Sequence, residues 1–222
     1  MKAYLDNSAT TRPTEGVIEA MAHCMREGWH NPSSIYGPAV EAFRQVRACR
    51  EAVLEKLGAP GERLIFTSGG TEANNLAILG AVGRMRGKQL VAVNATEHPS
   101  VLAAFDRLRE MGHEVRILPV DSEGALDWVA LEKAVEDGAS LVSCMQVNNE
   151  TGAVLDLKRL RRTVNGRSLI HVDGVQGFLR LPFRLEDVDM YTLSAHKIHG
   201  PKGVGAPAVK KGLRLLPQHI GG

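Results

Sequence analysis

The sequence has little cysteine, no long apolar run and no excess of charge of either sign. Its three cysteines, Cys24, Cys49 and Cys144, form no CxxC pair, which argues against a disulfide scaffold and predicts reduced thiols. No apolar run approaches the ~20 residues of a membrane span, and the first residues contain no signal-peptide core. These absences predict a cytoplasmic protein without a membrane partner.

The charge balance is almost even. The 222 residues include 27 Lys and Arg against 25 Asp and Glu, for a formal net charge of +2. This balance gives no reason to expect nucleic acid as a partner, and the basic stretch at residues 158–162 is predicted to be the solvated face of a helix. The P-loop pattern GxxxxGK[ST] is absent, which argues against a nucleoside triphosphatase.

From about residue 63 onward, short β-rich runs alternate with helical stretches. The runs lie at residues 64–67, 90–93, 115–118, 141–145, 169–172 and 190–193, and helical apolar spacing recurs at 73–85, 101–111 and 128–135. This alternation predicts an α/β fold with a mostly parallel (mixed) sheet flanked by helices. In such sheets, ligands bind at the carboxyl ends of the strands.

Residues 1–60 have a different character. They contain a turn-rich start, a predicted helix at 14–26, an Asn-Pro-Ser-Ser loop at 31–34 and a predicted helix at 38–57. We expect this segment to be an N-terminal arm packed on the sheet, within a single domain over residues 1–222. Residues 212–222 end on a glycine pair without a helix or strand, which leads us to expect that a C-terminal domain is missing from this chain.

Two candidate functional residues lie at predicted strand ends. Lys197 follows the run at 190–193, and Asp173 directly follows the run at 169–172. A lysine there could form a Schiff base with pyridoxal 5′-phosphate (PLP), and an ionised aspartate could keep the pyridine nitrogen of PLP protonated. The alternatives are a surface lysine in a glycine-rich turn and an aspartate that caps a helix.

Other strand ends offer the remaining contacts that such a cofactor needs. Gly70 and Thr71 lie between a strand and a helix, where backbone N–H groups and a hydroxyl could bind a phosphate. His98 could stack on the pyridine ring, and amides such as Asn149 and Gln176 could reach its phenolic oxygen. Each also has an ordinary alternative, as a capped turn, a structural histidine or a bare turn.

Seven segments, in order and spacing, resemble the cysteine desulfurases of the NifS and IscS group. This group belongs to the class V aminotransferase family of fold-type I PLP enzymes, and the resemblance covers essentially residues 3–222. The segments are Tyr-Leu-Asp-Asn-Ser-Ala-Thr-Thr (4–11), Asn-Pro-Ser-Ser (31–34), Ser-Gly-Gly-Thr-Glu-Ala-Asn-Asn (68–75), Thr-Glu-His (96–98), Val-Asn-Asn-Glu-Thr-Gly (147–152), His-Val-Asp-Gly-Val-Gln (171–176) and Ser-Ala-His-Lys-Ile-His-Gly-Pro-Lys-Gly (194–203).

The resemblance implies a role for each candidate residue. Lys197 would carry PLP, His98 would stack on the ring and move protons, and Asp173 would hold the pyridinium nitrogen. Two side chains would flank the phenolic oxygen, Asn149 and Gln176. Four residues would bind the phosphate: Gly70, Thr71, Ser194 and His196.

The resemblance also implies a reaction and partners. L-Cysteine would be converted to L-alanine, with the sulfur passed to an enzyme cysteine as a persulfide and then to an acceptor or scaffold protein in iron–sulfur cluster assembly. The enzyme would be a homodimer. Two other activities of the same family, selenocysteine lyase and aminotransferase, remain open, as does a truncated protein that keeps the fold without catalysis.

The sequence departs from the pattern of this group in several places. Members continue past the position of Gly222 into a region with the nucleophilic cysteine, an arginine for the substrate carboxylate and a phosphate contact across the dimer. The cysteines present here, Cys24, Cys49 and Cys144, are predicted to pack in the core. Smaller departures are two glycines where alanine is common, Gly70 and Gly174, and Tyr36 where histidine is usual.

Overall fold

One mixed β-sheet organises the computed structural model, which describes residues 3–221. Its strands are β1 (Arg63–Leu64), β2 (Leu90–Asn94), β3 (Glu114–Leu118), β4 (Leu141–Met145), β5 (Leu169–Asp173), β6 (Met190–Ser194) and β7 (Gly205–Val209). Their order across the sheet is β1-β7-β6-β5-β4-β2-β3. Strand β7 is antiparallel to both of its neighbours, and the five strands β2 to β6 are mutually parallel. The predicted mixed α/β sheet is confirmed.

Six α-helices are described in residues 3–221. They are α1 (Glu15–Glu27), α2 (Gly37–Lys56), α3 (Gly70–Val82), α4 (Pro99–Glu110), α5 (Trp128–Glu136) and α6 (Leu157–Val164). Side-chain caps explain several starts, since Thr14, Asp127 and Asp156 each accept a hydrogen bond from a backbone N–H of the helix that follows. None of these six helices is long and apolar enough to cross a membrane.

The core lies on both faces of the sheet. On one face α3 and α4 pack against side chains such as Val91, Val93 and Met190, and on the other face α5 and α6 pack against Val142 and Ile170. Strands β4 and β6 are buried at every position, as is typical of parallel strands covered on both sides. This double cover leaves the ends of the strands as the accessible edges of the sheet.

The strand order reverses between β2 and β4. From β2 the chain moves outward to β3, returns to the other side of β2 as β4, and continues through β5 to β6. In open α/β sheets, such a reversal leaves a crevice outside the carboxyl ends of the strands. Asn94 ends β2 and Met145 ends β4, so the loops that follow them border this crevice.

Strands β1 and β7 and the start of α3 differ from the prediction. The run at 64–67 is a strand only over Arg63–Leu64, although Thr67 still forms a bridge with Gly205. Strand β7 (Gly205–Val209) was not predicted, because its glycine and Pro207 are typical of turns. Helix α3 begins at Gly70, three residues before the predicted start at residue 73.

The N-terminal arm packs less than expected. Helix α2 buries Ala39, Ala42 and Leu54, whereas α1 has no buried residue. Cys24 on α1 and Cys49 on α2 are exposed, so their predicted place in the core is wrong; both lie on outward helix faces, while Cys144 on β4 is buried as predicted.

The basic stretch at 158–162 is solvated with two exceptions. Leu160 is buried, and Arg161 is only partly exposed because its guanidinium pairs with Asp189 at 3.1 Å. The arginine joins α6 to the segment before β6, so this part of the stretch has a structural partner rather than a solvent-facing role.

Candidate active site

A cavity of about 500 Å³ opens at the carboxyl ends of the parallel strands. All nine residues that the sequence singled out line it: Gly70, Thr71, His98, Asn149, Asp173, Gln176, Ser194, His196 and Lys197. They come from five separate stretches of the chain that meet because each one follows a strand or begins a helix at the same edge of the sheet.

Asp173 is the buried acid of this cavity. It is the last residue of β5, and its carboxylate accepts hydrogen bonds from Val175 N (3.0 Å) and from Asn74 Nδ2 (2.8 Å). Burial raises the pKa of Asp173, while these two hydrogen bonds and the nearby His98 and Lys197 act in the opposite direction. The carboxylate caps the turn after β5 and faces the cavity. Residues 175–180 form a turn and not a helix, so the alternative of a helix cap is wrong.

Lys197 lies in a short 3₁₀ turn, Ala195–Lys197, directly after β6. Its Nζ donates hydrogen bonds to the carbonyl oxygens of Ser8 and Ala9, the latter at 2.8 Å, so the N-terminal arm holds the amine at the cavity. Burial and the neighbouring Arg180 lower the pKa of Lys197, which favours the neutral, nucleophilic amine.

The start of α3 forms the opposite end of the cavity. No side chain caps this helix, and Gly69 and Gly205 approach so closely that a Cβ at Gly205 would lie 2.4 Å from the carbonyl carbon of Gly69. Free N–H groups at a helix start attract anions. Ser194 and His196 line the same end, where His196 Nδ1 lies 3.1 Å from the Thr10 hydroxyl.

His98 and Gln176 are both held by hydrogen bonds. His98 precedes α4, and its Nδ1 accepts from Ser100 N at 3.1 Å and lies 2.8 Å from Ser100 Oγ. Gln176 Nε2 donates to the carbonyl of Ser8 at 2.8 Å, and its Oε1 accepts from Arg180. The glutamine is therefore tied to the arm that also holds the lysine.

Sequence reasoning missed several polar residues at or beside this site, among them Asn74, Ser100 and Arg180. Asn74 lies one helical turn after Gly70, Ser100 lies two residues after His98, and Arg180 donates to Lys197 O at 2.6 Å. Helical spacing from Gly70 could have pointed to Asn74. Nothing in the sequence pattern around Arg180 indicated its position.

A second buried carboxyl, Glu97, lies beside the cavity without lining it. One oxygen accepts from Met145 N, and the other has no hydrogen-bond partner among residues 3–221. Burial, with the charge of Asp173 as the second cause, raises the pKa of Glu97 well above its usual value. Burial therefore favours the neutral form of this carboxyl group.

A family model described as "Aminotransferase class-V" matches residues 3–222. The chain belongs to the class V aminotransferase family. The cysteine desulfurase of Nostoc sp. is 39% identical over 99% of this chain and 56% of its own length, and that of Cereibacter sphaeroides is 41% identical over 100% and 58%. The resemblance inferred from the seven segments is confirmed.

Solved structures of similar proteins agree with the fold. A structure titled "NIFS-LIKE PROTEIN" superposes with a TM-score of 0.94 at 38% identity, over 100% of this chain and 62% of that one. A structure titled "SspA in complex with cysteine" superposes with a TM-score of 0.93 at 32% identity, over 100% and 65%. The chain therefore spans a little over half the length of the curated relatives it matches.

Proposed function

We propose that this chain is the PLP-binding large domain, with its N-terminal arm, of a cysteine desulfurase that releases sulfur from L-cysteine and forms L-alanine. One observation carries the proposal: nine residues chosen from the sequence as cofactor contacts line a single cavity. Relatives at 39% and 41% identity that are named cysteine desulfurases support the choice of substrate.

The chemistry of the lining residues fits PLP. The cofactor needs an amine, an acid for its pyridine nitrogen and donors for its phosphate, and when bound it supplies an electron sink for the substrate α-carbon. Lys197 offers an amine with a lowered pKa, and Asp173 offers a buried carboxylate held by two N–H donors. The uncapped start of α3 at Gly70 and Thr71 offers the phosphate end, together with Ser194 and His196.

Each of these side chains has a separate task in the proposal. Lys197 would hold the cofactor and move a proton at the substrate α-carbon, and His98 would lie beside the cofactor and shuttle protons. Asp173 would keep the pyridine nitrogen protonated, and Asn149 and Gln176 would bind near the phenolic oxygen. Among residues 3–221 no cysteine lines the cavity, so this part of the chain provides α-carbon chemistry without a sulfur nucleophile.

We further propose a cytoplasmic homodimer that passes sulfur to an acceptor or scaffold protein. The three cysteines are free, which suits a reducing compartment. A relative named "Cysteine desulfurase IscS 1" from Archaeoglobus fulgidus is 36% identical over 99% of this chain and 58% of its own length.

The test is cofactor uptake at a defined lysine. Purified protein titrated with PLP should develop visible absorbance, and borohydride reduction followed by peptide mass mapping should find the pyridoxyl group on Lys197. Lys197→Ala should lose both signals. Lys158→Ala, at an exposed lysine on α6, is the matched control and should retain them.

A protein that stays colourless, or that is labelled equally in the Lys197→Ala variant, would contradict the proposal. If PLP binds, the products formed from L-cysteine decide the activity. Alanine with sulfide supports a desulfurase, whereas a keto acid points to an aminotransferase of the same family.

A further inference from the structure

A continuous line of hydrogen bonds connects His98 to Asp173 beneath the cavity. His98 Nδ1 lies 2.8 Å from Ser100 Oγ, Ser100 Oγ lies 3.0 Å from Asn74 Nδ2, and Asn74 Nδ2 lies 2.8 Å from Asp173 Oδ2. Asn74 and Ser100 are exposed by 1% and 8%, so both links are shielded from bulk water. The line joins α3, α4 and β5, three elements that are far apart in sequence.

Counting donors fixes the direction of each bond. Asn74 Nδ2 has two protons and directs one to Asp173 and the other to Ser100 Oγ, which therefore accepts. The Ser100 hydroxyl keeps its own proton for His98 Nδ1, and Ser100 N donates to the same atom at 3.1 Å. His98 Nδ1 thus accepts two bonds, so the proton of the neutral ring resides on Nε2.

The orientation of the Asn74 amide favours an ionised Asp173. Asn74 Oδ1 is buried and has no hydrogen-bond partner among residues 3–221, so the amide is placed for its two N–H bonds. A rotated amide would turn its oxygen towards the Asp173 carboxylate, which is unfavourable unless Asp173 carries a proton. The amide therefore favours a carboxylate at one end of the line and an unprotonated Nδ1 at the other.

We propose that Asn74 and Ser100 are positioning residues that hold Asp173 as a carboxylate and His98 in its Nε2–H form before any cofactor binds. The inference deepens the proposed function. It rests on that function only for the identity of the cofactor that Asp173 and His98 would contact. In the cavity, His98 presents Nε2 because Nδ1 is occupied, and Asp173 presents its charge because both oxygens already accept N–H bonds.

Other ionisable groups also influence Asp173, and the test has to separate them from Asn74. They are His98, Lys197, Glu97 and Tyr191. Asn74→Leu leaves all four in place and removes only the N–H donor. Ser100→Ala removes the hydroxyl link but keeps the backbone N–H, and Ser100→Thr restores a hydroxyl.

The experiment uses cofactor-free protein with ¹⁵N-labelled histidine, in which NMR reports the tautomer of each ring and His98→Gln assigns the His98 signals. Wild-type and Ser100→Thr proteins should show the Nε2–H form at His98. Ser100→Ala and Asn74→Leu should show an added share of the Nδ1–H form, because only the backbone N–H of residue 100 then requires Nδ1 to accept. Carboxyl NMR of Asp173 should show its titration midpoint rising by about one pH unit in Asn74→Leu, because the ionised form loses a donor.

Ser168→Ala is the matched control, because Ser168 is a serine of similar burial at the opposite end of β5 whose hydroxyl donates to Ala139 O. An unchanged His98 tautomer in both variants would overturn the proposal, and so would an unchanged Asp173 midpoint in Asn74→Leu. If Asn74→Leu fails to fold, the contrast between Ser100→Ala and Ser100→Thr still decides. Failure to bind PLP would refute the proposed function while leaving the NMR outcome valid.

Discussion

Two neighbouring groups of polar side chains, one at the cavity and one buried in or beside the sheet, differ in how far their surroundings favour charge. At the cavity edge, Asp173 accepts hydrogen bonds from two N–H donors and has Lys197 and His98 nearby. A second set, which we call the sealed polar groups, does not line the cavity: Ser143, His171 and Thr192 on β4, β5 and β6, and Glu97 in the loop after β2, each exposed by 5% or less.

Burial disfavours the charged forms of the ionisable members of the sealed polar groups. His171 is two residues before Asp173 on β5 and so projects from the same face of the sheet; it lies 2.8 Å from Ser143 Oγ and 3.1 Å from Thr192 Oγ1. Burial lowers the pKa of His171 to about 3, and burial raises that of Glu97. One strand thus carries a neutral imidazole in the interior and an acid with charge-stabilising partners at its end.

The largest expected effect comes from Gly174, which lies at the boundary between the cavity residue Asp173 and the buried ring of Tyr191. A Cβ there would lie 1.8 Å from Cζ of the buried Tyr191 ring, so Gly174→Ala should displace the backbone next to Asp173. We expect a loss of about 3 kcal/mol in the free energy of unfolding, measured with urea, because overpacking a rigid ring leaves no easy relaxation.

Tyr191→Leu in the Gly174→Ala background should recover part of that loss by making room. Gly16→Ala provides the control, because nothing lies within 4 Å of its added Cβ. If Gly174→Ala were as stable as the wild type, the packing at this boundary would be looser than the structure indicates.

The second effect concerns Glu97. Its folded-state pKa is raised above 4.5, so the folded protein retains a proton that the unfolded chain releases, and stability falls as pH rises above about 4.5. Glu97→Gln should therefore flatten the pH dependence of urea unfolding, whereas the exposed Glu132→Gln should not. Equal slopes for wild type and Glu97→Gln would show that Glu97 is ionised in the fold.

The third and smallest effect has the opposite sign and comes from His171. Its folded-state pKa is lowered from 6.5 to about 3, so the stability that it contributes is present above pH 6.5 and is lost as pH falls towards 3. From about pH 6.5 to about pH 5.5 the loss is roughly 1 kcal/mol. His171→Gln should remove this acid-dependent part, with the exposed His23→Gln as control. An unaltered acid slope in His171→Gln would assign the dependence to other groups.

The sequence was sufficient to predict the cavity edge because its residues follow periodic strand runs. Asp173, His98 and Lys197 were placed by strand ends alone, which parallel strands bring to one side. Asn74 and Ser100 were not predicted, because their link depends on how α3 and α4 pack together.

The exposure of residues in the N-terminal arm also could not be predicted from the local sequence. Cys24 and Cys49 lie in helices whose outward faces are decided by tertiary packing. The short strand β7 was missed since glycine and proline rarely mark a strand that runs between two partners.

The contact between Thr67 and Gly205 also governs when the cavity can form during synthesis. The glycine that supports the start of α3 enters the chain 138 residues after Thr67, and Lys197 reaches back to Ser8 across 189 residues. Closing such long loops is slow and delays the native pairing until most of the chain exists. The parallel strands β2 to β5 are synthesised before Gly205. The polar groups at their carboxyl ends therefore stay accessible until about the last fifth of these residues has been translated.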